Sequence, residues 1–324
     1  MFDFAALGVS TLRISMPYAA GALGGTMSER GGVVNIALEG LMLGGAFAFV
    51  TTSWALQTHY FPTGAPPTGS WIYWVAPLAG LLAAVATGVV LSFIHAVATV
   101  LFKADNIISG FAINIFSLGV TNFLLKKIFG SSSNSEKCLT FTNWNLISAD
   151  SPLHILNQVL HPLILIIILM FALMHWLIYY TRFGLRLRAV GENPQAADSL
   201  GVNVSRYRIS GVLLGGAVAS LGGVWLASDQ GLFTSNMTAG RGYIALAAMI
   251  IGKWRPWGAA AACLIFGLAE AIQNQMQVHS GGGAIPTQLI QAFPYLLTII
   301  VIAGLIGRSS PPAADGIPYE KERE

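Results

Sequence analysis

Long apolar runs recur along the whole chain, and they constrain its fold more than any other feature. A helix needs about 20 mostly apolar residues to cross the hydrocarbon core of a bilayer. The sequence predicts nine such segments, with approximate ends at 8–27, 35–56, 72–102, 106–125, 161–180, 209–228, 242–252, 258–277 and 287–307. Of the 324 residues, 54% are hydrophobic and only 10% are charged, whereas a soluble domain is about a quarter charged. We therefore predict an all-α, polytopic helical membrane protein with a single transmembrane domain at 1–324.

The seventh segment, 242–252, is too short to cross a membrane by itself. It follows the glycine-rich approach 236-NMTAGRGYIAL-246, which favours a broken or re-entrant helix covered by protein or by a water-filled cavity. An internal echo accompanies it, because ALGG and IALEGLMLG near the start of the chain resemble SLGG and IALAAMIIG around this segment. The echo favours two related halves, although helices rich in Gly, Ala and Leu also produce such echoes by chance.

Positive charge predicts the orientation, because cytoplasmic loops collect Lys and Arg. One side of the predicted topology has 12 of the 17 lysines and arginines and the other has five. The N-terminus is then outside, the C-terminus is inside, and residues 126–160 form an outer loop. Lys126 and Lys127 run against this rule. The first residues lack the basic region and cleavage site of a signal peptide, so the chain is expected to lead directly into its first span. Trp254 and Trp257 are interpreted as part of an interfacial belt.

The predicted cytoplasmic loop at 181–208 has five arginines and the signals of a short helix. Asn193 is a good N-cap, Pro194 suits the first helical position, and Gly201 suits a left-handed residue after the last turn. A solvated basic loop would explain the arginines alone. Because such a loop does not need a capped helix, we interpret the helix as a docking element for a soluble partner.

Four stretches that together cover most of the chain are informative. They are 28-SERGGVVNIALEG-40, 103-KADNIISGFAINIFSLGVTNFLL-125, 188-RAVGENPQAADSLGVNVSRYR-208 and 239-AGRGYIALAAMIIGKWRPWGAAAACLIFGLAEAIQ-273. They resemble permease subunits of ATP-binding-cassette (ABC) importers of the branched-chain amino acid, ribose and nucleoside group. The fit is best with the second permease of bacterial nucleoside uptake systems that use a basic-membrane-protein type lipoprotein. A permease for simple sugars of the ribose type is the alternative, and the particular nucleoside or sugar is not encoded in these motifs.

In that family a short cytoplasmic helix sits in a groove of the cassette and transmits nucleotide-driven motion to the spans. The resemblance implies this coupling role for Glu192, Asn193, Pro194, Ala196, Ala197, Leu200 and Gly201. It also implies partners at a bacterial inner membrane, namely cassette subunits that use ATP and Mg²⁺, a second homologous permease and an extracytoplasmic substrate-binding lipoprotein. The chain lacks the GxxxxGK[ST] phosphate loop. We therefore predict that it is not an enzyme and has no cofactor of its own.

Polar residues in the predicted spans are candidates for lining or gating a pathway, because polar groups are costly inside a membrane. These candidates are Asn35, Glu39, Asn106, Ser109, Asn114 and Glu270. Asn35 is predicted to cap the second span and to share a face with Glu39; a structural pairing of Glu39 with Arg30 is the alternative. For the amides and the serine of the fourth span, the alternative is hydrogen bonding between helices. Glu29 and Arg30 are predicted to neutralise each other at the cytoplasmic junction.

Other classes of membrane protein remain open at this stage. An ion-coupled secondary transporter also has polar residues in broken helices, and Glu39 with Glu270 would be its acidic pair. An intramembrane serine protease would need Ser109 with His95 or His175 as the base. Neither alternative has a second supporting motif. The histidines and the two cysteines do not have the spacing of metal ligands, so no metal site is predicted.

Overall fold

The computed structural model describes residues 4–62, 66–67, 69–144, 159–279, 296 and 309–321. The helices bounded within these residues are α1 (Phe4–Glu29), α2 (Leu38–Tyr60), α3 (Ile72–Ala96), α4 (Asn106–Phe129), α5 (Pro162–Tyr180), α6 (Arg182–Glu192), α7 (Pro194–Ser199), α8 (Val204–Gln230), α9 (Arg241–Ile251) and α10 (Pro256–His279). A π-helical turn, Val97–Leu101, extends α3. The described part of the chain contains no β-strand, which agrees with the predicted all-α class.

Among the residues that the structure describes, five helices are long and apolar enough to cross a membrane, namely α3 with its π-helical turn, α4, α5, α8 and α10. Helices α1 and α2 lie on the first two predicted segments but are not among these five. The 11-residue α9 is a shorter apolar helix at the position of the predicted broken segment. The ninth predicted segment, 287–307, lies outside the described residues except for Leu296. The number of nine spans and the orientation therefore remain predictions.

Helix α8 is the centre of the bundle. In its most apolar 18-residue window 72% of the residues are buried, against 33% in α3 and 28% in α4. Small residues allow this: a Cβ added to Gly24 of α1 would overlap the carbonyl oxygen of Gly215 in α8 and lie 2.9 Å from the Cβ of Ala219. A Cβ on Gly88 of α3 would overlap the carbonyl oxygen of Gly216 in the same way. Close backbone approach therefore positions α1, α3 and α8.

The loop after α4, which the sequence predicts to be an outer loop, covers one end of the bundle by pairing with the segment after α8. The backbone N–H of Ser135 donates to the carbonyl oxygen of Phe233 at 2.8 Å, and that of Cys138 donates to the carbonyl oxygen of Gly231 at 3.0 Å. Residues 145–158, the middle of the predicted outer loop, lie outside the described residues. The loop thus covers the approach to α9, the broken segment.

Candidate functional site

The junction between α1 and α2 is a non-helical segment, residues 30–37. Together with the end of α1, it contacts the α9–α10 junction. Nε1 of Trp254 donates to Oε2 of Glu29 at 2.5 Å, and the backbone N–H of Asn35 donates to Oε1 of Glu29 at 3.4 Å. Arg30 instead donates through Nε to the carbonyl oxygen of Trp254 at 2.8 Å. The predicted neutralisation of Glu29 by Arg30 is therefore wrong, because each side chain has a different partner.

Two further predictions at this junction are corrected. Trp254 is only 5% exposed and is not part of an interfacial belt, whereas Trp257 is 52% exposed and fits that interpretation. Asn35 does not cap α2, because the helix begins at Leu38 and its N-cap residue, Ala37, makes no side-chain cap. Oδ1 of Asn35 accepts the backbone N–H of Ala37 at 3.2 Å and stabilises the turn before the helix.

Glu39 lies in the first turn of α2, and its side chain caps a different helix, α9. Oε1 accepts the backbone N–H of Gly240 at 2.7 Å, and Oε2 accepts the N–H of Gly242 at 2.7 Å. The first N–H groups of a helix have no partner within it, and an acidic group is favoured there by the helix dipole. Among the described residues, Glu39 neither pairs with Arg30 nor shares a helical face with Asn35. It fastens the start of α9 to the start of α2.

Asn114 of α4 joins the same junction. Its Oδ1 accepts the backbone N–H of Gly40 at 2.8 Å. Its Nδ2 donates to the carbonyl oxygen of Ile36 at 3.0 Å and to the hydroxyl of Tyr243 at 3.1 Å. These contacts are the hydrogen bonds between helices that the sequence left open as the alternative. Three helices, α2, α4 and α9, therefore meet around one buried amide.

Glu270 of α10 is a second acidic residue at the start of α9. Its Oε1 lies 3.2 Å from Nη2 of Arg241, the first residue of α9, and its Oε2 accepts a hydrogen bond from the hydroxyl of Tyr18. Glu39 and Glu270 thus converge from two helices on residues 240–242. The two carboxyl groups that an ion-coupled transporter would use are engaged here by backbone N–H groups and by an arginine.

A cavity of about 550 Å³ lies beside this cluster, among α1, α8, α9 and α10. Its lining combines charged, amide and apolar side chains, which include Arg13, Ile14, Pro17, Trp225, Asp229, Arg241, Glu270 and Asn274. The Arg13 guanidinium pairs with Asp229 and lies 5.9 Å from the centre of the Trp225 ring. Glu270 therefore lines a cavity with both polar and apolar side chains, in the second half of α10.

The buried His95 pairs with the half-buried Ser109 near the start of α4. Nδ1 of His95 lies 2.9 Å from Oγ of Ser109, and Nε2 lies 3.1 Å from the carbonyl oxygen of Val34. The second nitrogen is thus held by a backbone carbonyl, and the trio joins α3, α4 and the 30–37 segment. Asn106 is the first residue of α4, and the preceding Asp105 is its N-cap, accepting the N–H of Ile107 at 2.8 Å. These four residues, His95, Asp105, Asn106 and Ser109, therefore position the end of α3 and the start of α4.

The predicted short helix of the 181–208 loop is present as α7. Oδ1 of Asn193 accepts the backbone N–H of Ala196 at 3.0 Å, Pro194 is the first helical residue, and Gly201 has a φ of +79°. Helix α6 precedes it and was not predicted. Phe183, Leu187 and Val190 give α6 one apolar face, a signal that the focus on its arginines obscured.

Helix α7 combines an apolar base with an exposed outer surface. Pro194 and Ala197 are buried, and Ala197 packs against Val190 and Val204. Leu200 is 84% exposed at the end of the helix. The other members of the predicted coupling set, namely Glu192, Asn193, Ala196 and Gly201, are exposed as well. The loop therefore presents a rigid, capped helix to its surroundings.

Three residues in these networks have no counterpart among the predictions. Tyr18 is 1% exposed and bonds to Glu270. Arg208 is 4% exposed, and its Nη1 donates to the carbonyl oxygen of Ile317 at 2.8 Å. Burial and the neighbouring Glu29 raise the pKa of Asp315 to about 8. Burying a polar group without a partner is costly, so the position of Arg208 directly before the apolar run ISGVLL is the signal that could have revealed it.

Comparisons with known proteins agree with this architecture. The family model described as branched-chain amino acid transport system / permease component matches residues 8–302. The chain is 41% identical to the guanosine ABC transporter permease protein NupQ of Bacillus subtilis, over 96% of this chain and 95% of that protein. It is 39% identical to the nucleoside ABC transporter permease protein NupC of Lactococcus lactis subsp. cremoris, over 95% of each.

One more distant relative and one solved structure also match. The guanosine ABC transporter permease protein NupP of Bacillus subtilis is 27% identical over 90% of this chain and 79% of that protein. A solved structure described as an inward-facing ABC transporter aligns with a TM-score of 0.46 at 13% identity, over 92% of this chain and 85% of that one. That likeness is too distant to inform the mechanism. The match over nearly the whole length, together with the apolar helices, shows that this chain belongs to the permease component family of branched-chain amino acid type transport systems.

Proposed function

We propose that this chain is the membrane-spanning permease subunit of an ABC importer that carries nucleosides across a bacterial cytoplasmic membrane. The observation that carries the substrate class is the similarity, over 95% or more of the chain, to permeases named for guanosine and for nucleosides. The five long apolar helices support membrane insertion. The chain itself would not hydrolyse ATP; separate cassette subunits would use ATP and Mg²⁺.

The proposed assembly also contains a second, homologous permease and an extracytoplasmic lipoprotein that delivers the nucleoside. The similarity of this chain to both NupQ and NupP, two guanosine permease proteins of one organism, supports the pairing of related permeases. The cavity of about 550 Å³ among α1, α8, α9 and α10 lies at the end of α8 that leads into the α9 approach. With the orientation predicted from Lys and Arg, this end faces the outside.

The proposed cassette contact is the capped helix α7. Because Ala197 and Pro194 anchor it to α6 and α8, a push on its exposed surface would move these helices rather than bend a loop. Gly201 ends the helix in a conformation that only glycine adopts easily. We infer that Glu192, Asn193, Ala196 and Leu200 contribute the exposed surface, whereas Pro194, Ala197 and Gly201 set the shape of the helix.

The proposed moving part is α9. Its approach contains the left-handed residues Asn236, Ala239 and Gly240, and side chains from other helices hold its start. Glu39 and Asn114 attach it to α2 and α4, and Glu270 attaches it to α10. We infer that these pathway candidates act by holding or releasing α9. Asn35, Asn106 and Ser109 act at the helix junctions beneath it.

Uptake measurements test the substrate. In cells that lack this gene, labelled guanosine, uridine, adenosine and ribose are each supplied before and after the gene is restored. Nucleoside uptake should return with the gene, and excess free ribose should not compete. Restored uptake of ribose alone would instead assign the chain to the sugar branch, and recovery of none of the four would refute the proposed substrate class.

The Gly201→Pro variant tests the coupling role of α7. Proline fixes φ near −65°, whereas Gly201 has a φ of +79° and its N–H donates to the carbonyl oxygen of Asp198 at 2.8 Å. Uptake should be abolished while membrane insertion is retained. Gly130→Pro is the matched control, because Gly130 also ends a helix at positive φ (+67°) and a Cβ there also meets no atom within 4 Å. Normal uptake by Gly201→Pro would exclude the assigned role.

A further inference from the structure

The described part of the C-terminus, residues 309–321, lies across the same end of the bundle as α7, and we call it the C-terminal strap. It has no regular secondary structure beyond turns, yet it is bonded to several other parts of the chain, including Lys103 between α3 and α4, whose Nζ lies 2.6 Å from Oε1 of Glu320. On the side of the proposed cassette contact, Nζ of Lys321 lies 3.6 Å from Oδ2 of Asp198 in α7. Tyr319 packs against the cluster of Val190, Ala197 and Val204 that forms the base of α7. One end of the strap is therefore attached to the coupling helix.

The middle of the strap is attached to the end of α6 and to α8. The backbone N–H of Ala314 donates to the carbonyl oxygen of Gly191 at 2.9 Å, and that of Ala313 donates to Oε2 of Glu192 at 3.2 Å. Arg208 of α8 donates to the carbonyl oxygens of Ile317 at 2.8 Å and Ala314 at 3.4 Å. These are directional bonds from rigid helices, so the strap follows α6 and α8 when they move.

The strap is also attached to the 30–37 segment and to α9. The backbone N–H of Gly316 donates to the carbonyl oxygen of Gly32 at 3.3 Å, in the segment between α1 and α2. Oγ of Ser309 donates to the carbonyl oxygen of Ile250 at 2.9 Å, in the last turn of α9. The carboxyl group of Asp315 lies close to that of Glu29, the last residue of α1. The same short segment thus contacts the coupling helix, the 30–37 segment and α9.

We propose that the C-terminal strap is a positioning element that transmits the movement of α6 and α7 to the 30–37 segment and to α9. This inference rests on the proposed function, because it assumes that a cassette pushes on α7. These bonds tie the proposed site of force directly to the proposed moving part. Without the strap, cassettes would still dock and hydrolyse ATP, but less of the resulting movement would be transmitted to α9.

Gly316→Val is the variant that detaches the strap. Gly316 has a φ of +72°, which a β-branched residue does not adopt without strain, and a Cβ would lie 3.2 Å from Cγ2 of Val34. Gly130→Val, at a φ of +67° but at the end of α4, introduces the same kind of strain away from the strap. Arg208→Lys is the second variant; it keeps the positive charge but loses the planar fork that reaches both carbonyl oxygens.

The test uses the complete transporter, with its cassettes and partner permease, reconstituted in liposomes. Nucleoside uptake and ATP hydrolysis are measured in the same preparation. We expect Gly316→Val and Arg208→Lys to hydrolyse ATP while transporting about fivefold fewer nucleosides per ATP, and Gly130→Val to keep the wild-type ratio. A wild-type ratio in both strap variants, or an equal loss of hydrolysis and uptake, would overturn the proposal. If the wild-type complex itself shows no ATP-driven nucleoside uptake, the proposed function fails instead.

Discussion

The Glu39→Gln substitution tests whether one side chain holds the start of α9. In the wild type both carboxyl oxygens of Glu39 accept backbone N–H groups, from Gly240 and Gly242, each at 2.7 Å. Glutamine has nearly the same shape but retains only one oxygen. Its amide nitrogen would face the second backbone N–H, donor against donor. The substitution therefore removes one bond without creating space.

The magnitude follows from these contacts. A hydrogen bond to a charged group contributes about 1.5–3 kcal/mol, and the interaction of a charge with a helix dipole contributes about 0.3–1 kcal/mol. Loss of one such bond and of the charge gives a total of about 3 kcal/mol. Since about 1.36 kcal/mol corresponds to a factor of ten, local opening at the start of α9 should become about 100-fold more frequent.

Hydrogen–deuterium exchange of the peptide that contains Gly240 and Gly242 measures this opening, because these amides exchange when the helix start opens. Glu136→Gln is the control. It removes a carboxylate that accepts only Nε1 of Trp54, at 2.8 Å in an exposed position. Unchanged exchange in Glu39→Gln, or equal acceleration in Glu136→Gln, would refute the capping role of Glu39.

Two further predictions concern packing and pH. Gly24→Ala should destabilise the bundle by about 1–3 kcal/mol because its Cβ would overlap the carbonyl oxygen of Gly215. Thermal unfolding in detergent measures this, and Gly8→Ala, whose Cβ meets no atom of the described residues within 4 Å, should unfold like the wild type. Asp315 faces Glu29 and Arg208, and burial with the nearby Glu29 raises its pKa from 3.8 to about 8. In the docked strap the Asp315 carboxyl group therefore keeps a proton that it loses when the strap is released. Docking should weaken as the pH rises from about 4 to about 8, and a further rise in pH should have no effect. Proteolysis within residues 309–321 should be faster at about pH 8 than at about pH 6, and Asp315→Asn should reduce the difference; equal pH dependence in the variant would contradict this.

Local chemistry explains the predictions that the structure bears out. The ends of α7 depend on an asparagine that bonds three residues ahead and on a glycine in the left-handed region, and both signals act within one turn of helix. The long apolar segments are equally local, because the length and apolarity of a helix decide whether it can cross a bilayer. The short α9 was likewise visible as an apolar run too brief to span.

The partners of the polar residues depend on tertiary structure. Glu39 bonds residues 201 and 203 positions away, and Trp254 bonds Glu29 at a separation of 225. In a bundle whose helices are apolar on most sides, the order of residues does not show which face of a helix meets which neighbour. The spacing of Asn35 and Glu39 suggested one shared helical face, but the helix begins only at Leu38. The sequence alone predicts a helical permease with a short, capped helix. Only the packing of distant segments decides that its buried acids hold α9 and that its C-terminus joins that helix to α7, because hydrogen bonds between helices require both partners in place.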